Sequence, residues 1–279
     1  MPPKATGQLF HGARFGLVTR HGKESIMAPA LAQRWQASLL HSTDFDTDSL
    51  GTFSGEIERR LSPLECAIHK ARLAQTLTGA EYGLGSEGSF SSTLWGFGIV
   101  NRELIACVNA TTELLVVGSH TALVGVAECC YGDTPARALF WRNLPQGQGV
   151  MLIGKKHIAK AVISEKEANA ILRNWYGTAI PADVRIAYDL RAHQSPIRRA
   201  NIALALENLM LRLESACHAC GQVGFWPDHI ETGLPCSACG FATENIRARI
   251  ARCAGCGHEE RNILPITHAD PATCPMCNP

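Results

Sequence analysis

The chain has 279 residues, 46% of them apolar and 18% charged, with a formal net charge of +1. That length supports one sizeable core plus a small appendage, and the near-neutral charge excludes a global field that would draw nucleic acid or membrane to the whole surface. No run of about 18 apolar residues occurs, and the first residues lack a basic-then-apolar leader pattern, so a cytoplasmic location without membrane association is expected.

In chain order, Phe15 to Thr19 is a short apolar run that predicts a strand. Arg20-His21-Gly22-Lys23 breaks it, and a helical stretch follows around Ile26 to Trp35. Asp44, Asp46 and Asp48 have calcium-loop spacing, but Ser49 and Gly55 stand where such a loop needs Gly and Glu. A polar, substrate-facing loop is the expectation there. Ser62, Pro63 and Glu65 make a helix start, with Ser as cap and Glu at the third position. Leu64, Ala67, Ile68, Ala71 and Ala74 then form a buried stripe whose alanines allow close packing on a sheet, and Gly79 ends the helix.

Tyr82-Gly83-Leu84 reads as a strand, and Gly85-Ser86-Glu87-Gly88-Ser89 as the glycine turn at its end. Residues 103–109 and 113–119 predict a hairpin. Val150 to Ile153 and Val184 to Tyr188 are further strands, with a helix between them from about Glu165 to Tyr176. From Pro196 a last helix places Ile202, Leu206, Leu209 and Leu213 on one face. Helices interleaved with strands predict an α/β domain with a mixed sheet. GLGSEG lacks the following helix of a dinucleotide fingerprint, and Asn109-Ala-Thr111 carries no weight as a glycosylation signal in a cytoplasmic chain.

Eight of the twelve cysteines form four C-x-x-C pairs: Cys217/Cys220, Cys236/Cys239, Cys253/Cys256 and Cys274/Cys277. Gly221, Gly240 and Gly257 follow the first three. Four tandem pairs fit two tetrahedral four-thiolate zinc sites; disulfides would need an oxidising compartment. The boundary is placed at 1–213 for the α/β domain and 214–279 for a tandem zinc-ribbon module of short hairpins. Neighbouring pairs are expected to share an ion, with Cys217, Cys220, Cys236 and Cys239 on one and Cys253, Cys256, Cys274 and Cys277 on the other. A nested arrangement is the rival. His218, His229, His258 and His268 are read as bystanders, and Cys66, Cys107, Cys129 and Cys130 as small core residues. The module has four arginines, no lysine and seven acidic residues, a net charge of −3. That argues against a phosphate backbone as partner and for a folding staple or protein-docking surface.

Glu65 is accounted for by the helix cap. Glu87 has no such local account, and it follows a strand, where ligands of α/β sheets collect.

Three stretches in order resemble the inosine triphosphate pyrophosphatase (ITPase/Maf-like) superfamily, which hydrolyses non-standard nucleoside triphosphates to monophosphates. LVTRHGKE, with Thr19, His21 and Lys23, is similar to its phosphate loop. ECAIHKA, with Glu65 and Lys70, is similar to its Glu-Asn-Ala helix, with Cys66 in place of the asparagine. GSEGS, with Glu87, resembles its acidic strand end, and RAHQSPIRR its Ser-His-Arg loop. The whole chain also resembles an uncharacterised bacterial family that joins such a domain to a cysteine-rich tail.

The resemblance implies an ITPase-like fold and a Mg²⁺-dependent nucleotide pyrophosphatase. Glu65 and Glu87 would hold Mg²⁺, Glu87 would orient water, and Lys23 and Lys70 would neutralise phosphates. Arg191, His193 and Arg198 would meet the base or the remaining phosphate. The alternative is a non-catalytic nucleotide- or protein-binding module on a degenerate version of that fold. Two structural Zn, a Mg, a nucleotide or phosphorylated small molecule, and a protein partner at the zinc tail are the expected associations; a homodimer is left open.

Overall fold

A computed structural model describes residues 6–45, 61–93, 96 and 98–279. The chain divides into two compact units, Gly12–Leu209 and Met1–His11 with Met210–Pro279.

The larger unit is α/β. It opens with β1 (Arg14–Val18), α1 (Glu24–Trp35), β2 (Ser38–Ser42), α2 (Pro63–Thr78) and β3 (Tyr82–Ser92). The hairpin β4 (Ile99–Asn109) and β5 (Leu114–Val124) follows. These strands form one mixed sheet in the order β2-β1-β3-β4-β5, parallel around β1 and antiparallel beyond β3. The hairpin turn is an Asx turn, in which the Asn109 side-chain oxygen accepts the N–H groups of Thr111 and Thr112 at 2.9 and 3.2 Å.

β6 (Glu128–Cys130), α3 (Thr134–Arg142), β7 (Val150–Ile153), β8 (Ile158–Val162), α4 (Glu165–Tyr176) and β9 (Arg185–Tyr188) come next. Their strands make a separate antiparallel sheet, β6-β9-β7-β8, around Phe140, Val150, Leu152, Leu172 and Ile186. α5 (Pro196–Leu213) closes the unit, its last turn counted with the smaller one.

α2 begins as its sequence dictates. Ser62 Oγ accepts the Glu65 N–H at 3.2 Å and the Glu65 carboxylate accepts the Ser62 N–H at 2.9 Å, a closed capping box. Gly79 ends it in a left-handed conformation at φ 62°. Ala67, Ala71 and Ala74 have no exposed surface.

The glycine-rich stretch after Leu84 is strand rather than turn. β3 runs unbroken through it, with Glu87 opposite Leu104 on β4. The glycines serve packing. A Cβ on Gly83 or Gly85 would stand 1.9 Å from the carbonyl oxygens of Ala71 and Ala67, so α2 lies on bare strand backbone. α5 crosses β5 in the same way, since a Cβ on Gly118 would stand 2.4 Å from the Leu209 nitrogen. Three of the four cysteines expected in the core are buried; Cys130 is exposed, at the end of the short β6. Asp46, Asp48, Ser49 and Gly55 of the expected polar loop lie outside the described residues.

The smaller unit carries a three-stranded antiparallel sheet, β10 (His229–Thr232), β11 (Ile246–Arg252) and β12 (Glu259–Ile263), with β11 in the centre. Cys217, Phe225, Ala251 and Cys253 form its small core. Among the described residues, no helix is long and apolar enough to cross a membrane.

Candidate functional site

The four cysteine pairs sort into two tetrads: Cys217, Cys220, Cys253 and Cys256, and Cys236, Cys239, Cys274 and Cys277. The ligand atoms of each lie within 4.8 Å of one another, a spread that one tetrahedral ion spans. This interleaved pairing corrects the neighbouring arrangement expected from sequence, and it is not the nested one either. The reason is the sheet. Each stretch between successive pairs contributes a single strand, not a hairpin, so successive pairs alternate between its two ends. His229 at the start of β10 lies opposite Ile250 near the end of β11, and Arg252 opposite Glu259. The first and third pairs therefore meet at one end, the second and fourth at the other.

Each pair sits on a tight turn. Gly221, Gly240 and Gly257 donate their N–H to the carbonyls of Cys217, Cys236 and Cys253, at φ values of 79°, 73° and 72°. Asn278 makes the same bond to Cys274. The N–H groups of Cys239 and Ala238 lower the Cys236 thiol pKa to about 7, while the Cys239 and Cys236 thiols push that of their tetrad partner Cys277 up to about 12; a metal ion would hold all four as thiolates. Two structural metal ions suit these tetrads, and zinc fits four thiolates. A divalent ion on four thiolates would give each centre a net charge of about −2 and deepen the acidic character of the unit. His218 and His258 both meet Glu260, at 2.5 and 3.2 Å; neither belongs to a tetrad, and nor do His229 and His268.

The second candidate lies in the α/β unit, where β1 stops at Val18 while β3 continues to Ser92. Beyond the end of β1, Lys23 reaches the edge of β3. Its Nζ donates to the Ser86 carbonyl at 3.1 Å and the Ser86 hydroxyl at 3.2 Å. Both acceptors are neutral, and Lys23 is 7% exposed. Burial, then the nearby Lys70 and Arg198 charges, bring its pKa down to about 8.

On the α2 side of β3, Lys70 meets the buried Glu87 carboxylate at 2.5 Å, and the Cys66 thiol lies 3.7 Å from the same oxygen. On the opposite side, Arg198 clasps Glu103 of β4 through Nε at 2.7 Å and Nη2 at 3.0 Å. Its Nη1 donates to the Leu190 carbonyl at 2.6 Å. Asn101 extends this network to Glu103 and Asn201. A Cβ on Gly88 would stand 2.3 Å from Arg198 Nη2, so only glycine leaves the clasp room.

The remaining expected residues fall as follows. Thr19 is buried, its hydroxyl accepting the His21 N–H at 3.1 Å. His21 stacks on His193 at 5.3 Å between ring centres, which joins the loop after β1 to the loop before α5. Arg191 is held by the buried Asp189 carboxylate at 2.6 Å, and Asp189 also accepts the Ala161 N–H. Glu65 is exposed and engaged in its cap. Its sequence neighbour Cys66 is the residue that reaches Glu87.

A divalent magnesium ion does not fit this donor set. Glu87 is neutralised by Lys70, Glu103 by Arg198, and Glu65 serves the helix start. Among the described residues of this cluster, Lys23 and Lys70 carry two positive charges against the one carboxylate of Glu87, once the Arg198–Glu103 pair is set aside. A buried cationic surplus suits an anion; Mg²⁺ requires an excess of oxygen anions. Glu103, Asn101 and Ser86 were not singled out from sequence. Glu103 had a signal, as a carboxylate entering an otherwise apolar strand, ELIACVN.

No curated protein and no solved structure matches the chain. Residues 70–279 match the family described as Domain of unknown function (DUF6671), and the chain belongs to that family.

Proposed function

We propose that the α/β unit binds a phosphorylated small molecule of the nucleotide class beside β3 and hydrolyses it, as its resemblance to the inosine triphosphate pyrophosphatase superfamily implies. Lys23 carries this reading. It is a buried ammonium whose hydrogen-bond acceptors, among the described residues, are the two neutral oxygens of Ser86, at the carboxyl end of a parallel strand where α/β sheets collect ligands. A phosphate oxygen supplies the acceptor its third proton wants and the charge its burial wants. Lys70 faces the same stretch of β3, and Glu87 is the group that orients water or takes up a proton there. The zinc unit acts as a metal-stapled module, acidic enough to favour a protein partner over nucleic acid.

A panel of nucleoside triphosphates, assayed with and without Mg²⁺ for release of phosphate and pyrophosphate, tests the reading. Turnover of at least one, lost in Lys23→Met, is expected; no turnover and no binding by any of them contradicts it. The second reading, a binding module without catalysis, is favoured by the ion pairs that occupy Glu87 and Glu103. Binding without turnover would select it.

A further inference from the structure

We propose that the tip of the β7–β8 hairpin, with the end of α4 beside it, is a docking surface for single-stranded nucleic acid. This surface lies on the second sheet of the α/β unit and does not rest on the phosphate-site reading.

The hairpin turns through Gly154-Lys155-Lys156-His157, with Ile153 and Ile158 as its last facing pair. Gly154 donates its N–H to the His157 carbonyl at 2.9 Å, which closes the turn. Trp175 and Tyr176, at the end of α4, meet it there. The His157 and Trp175 rings stack, with 5.2 Å between centres and 23° between planes. Tyr176 stands edge-on to both, at 5.9 and 6.1 Å and at 80° and 86°. Nearly equidistant from the two, it flanks the stack instead of covering the outer face of His157, and His157 is exposed. Trp175 and Tyr176 pack on the core of this sheet, so the imidazole rests on a fixed support. A Cβ on Gly154 would stand 2.1 Å from the Tyr176 hydroxyl, so bare backbone in the turn makes room for that ring. An imidazole held flat in this way offers its outer face to another planar ring.

Cations surround that face. Lys155 and Lys156 are exposed in the turn, and exposed Arg173 lies one helical turn before Tyr176 on the same side of α4. Lys155 meets Asp183 at 3.8 Å, with the two side chains 84% and 63% exposed, a contact of little energy that a phosphate can displace. Glu165 and Glu167 belong to the first turn of α4, about 12–15 Å from Trp175 along the helix. The chain as a whole is near neutral, and the positive charge is local to this tip. A strand of nucleic acid supplies phosphates for Lys155, Lys156 and Arg173 and a base for His157. A duplex hides its base faces in its own stack, and an acidic peptide need bring no ring, so cations beside an open ring select an unpaired strand.

The test is fluorescence anisotropy of a labelled oligouridylate of about 12 nucleotides, titrated with the zinc-loaded full-length chain. Saturable binding is expected. With phosphate contacts from Lys155, Lys156 and Arg173, affinity should fall about twentyfold between about 50 and 200 mM salt. Joint replacement Lys155→Gln and Lys156→Gln should weaken binding at least about tenfold and reduce that salt effect to about threefold. His157→Ala should weaken binding about tenfold with the parental salt effect, because it removes a ring and no phosphate contact, and His157→Phe should restore it. These substitutions change exposed side chains, and melting curves verify the fold of each variant. No binding at the lower salt, or parental affinity in the lysine variant or in His157→Ala, overturns the proposal. Competition by polyglutamate or by a duplex as strong as that by unlabelled oligouridylate also overturns it, since the patch would then read charge and no base.

Discussion

Cys217 Sγ lies 3.7 Å from Cys256 Sγ, 39 residues further along the chain, and Cys220 is 3.5 Å from Cys253. That approach across β11 makes each tetrad depend on two distant pairs. Replacing Cys217 and Cys220 by Ser should therefore release the ion shared with Cys253 and Cys256 and leave the one held by Cys236, Cys239, Cys274 and Cys277. Native mass spectrometry should count two zinc ions in the parent and one in the variant. Zinc retained by Cys253 and Cys256 together with Cys274 and Cys277 would contradict the interleaving.

The capping box at the start of α2 gives a second test. Ser62→Ala removes the acceptor for the Glu65 N–H and should cost about 1 kcal/mol, read by thermal unfolding. Glu65→Gln keeps a side chain that can accept the Ser62 N–H, so it should melt close to the parent and bind pyrophosphate equally well. Bonds from Ser62 lower the Glu65 pKa, so its small stabilisation is present above the ordinary carboxylate range and fades as the pH falls into it.

Arg198 and Glu103 are 2% and 0% exposed at their side chains. Glu103→Ala leaves a guanidinium charge in the interior without its counterion and should destabilise by about 3–5 kcal/mol, measured by urea unfolding. Gly88→Ala presses a methyl group on the same clasp and should act in the same direction. A near-parental midpoint in both would remove Arg198–Glu103 as a structural pair.

Lys23 sets a pH dependence. Its pKa of about 8 lies below that of an exposed lysine, so the unfolded chain holds this proton more tightly. Its contribution to stability therefore rises with pH from about 8 up to the ordinary lysine range. Anion binding has the opposite sign, because a phosphate favours the ammonium. Pyrophosphate affinity should weaken as the pH climbs through about 8, and Lys23→Arg should abolish that slope. Titrations at several pH values read both.

Local chemistry was legible in the sequence where it depends on neighbours along the chain. The Ser62–Glu65 cap, the Gly79 stop, the β4–β5 hairpin, α4 and the grouping of eight paired cysteines into metal-compatible sites all follow from residue types at short spacing. What depends on long-range approach was not. Gly83 and Gly85 read as turn residues because nothing local reveals that Ala67 and Ala71 press upon them. Interleaved tetrads require knowing that one strand, and not two, separates each pair. Arg198 was legible as a cation near the site, but its clasp on Glu103 joins residues 95 positions apart. Cys66 read as a small core residue, and its placement against Glu87 emerges only when α2 lies on β3.

The binding of inorganic pyrophosphate to the zinc-loaded chain, followed by calorimetry in the parent and in Lys23→Met, tests the account most directly. Saturable binding at one site per α/β unit is predicted, weakened at least about tenfold by loss of the buried ammonium, with the fold of the variant verified by its melting curve. Affinity unchanged in a folded Lys23→Met chain, or no binding to the parent, would contradict it.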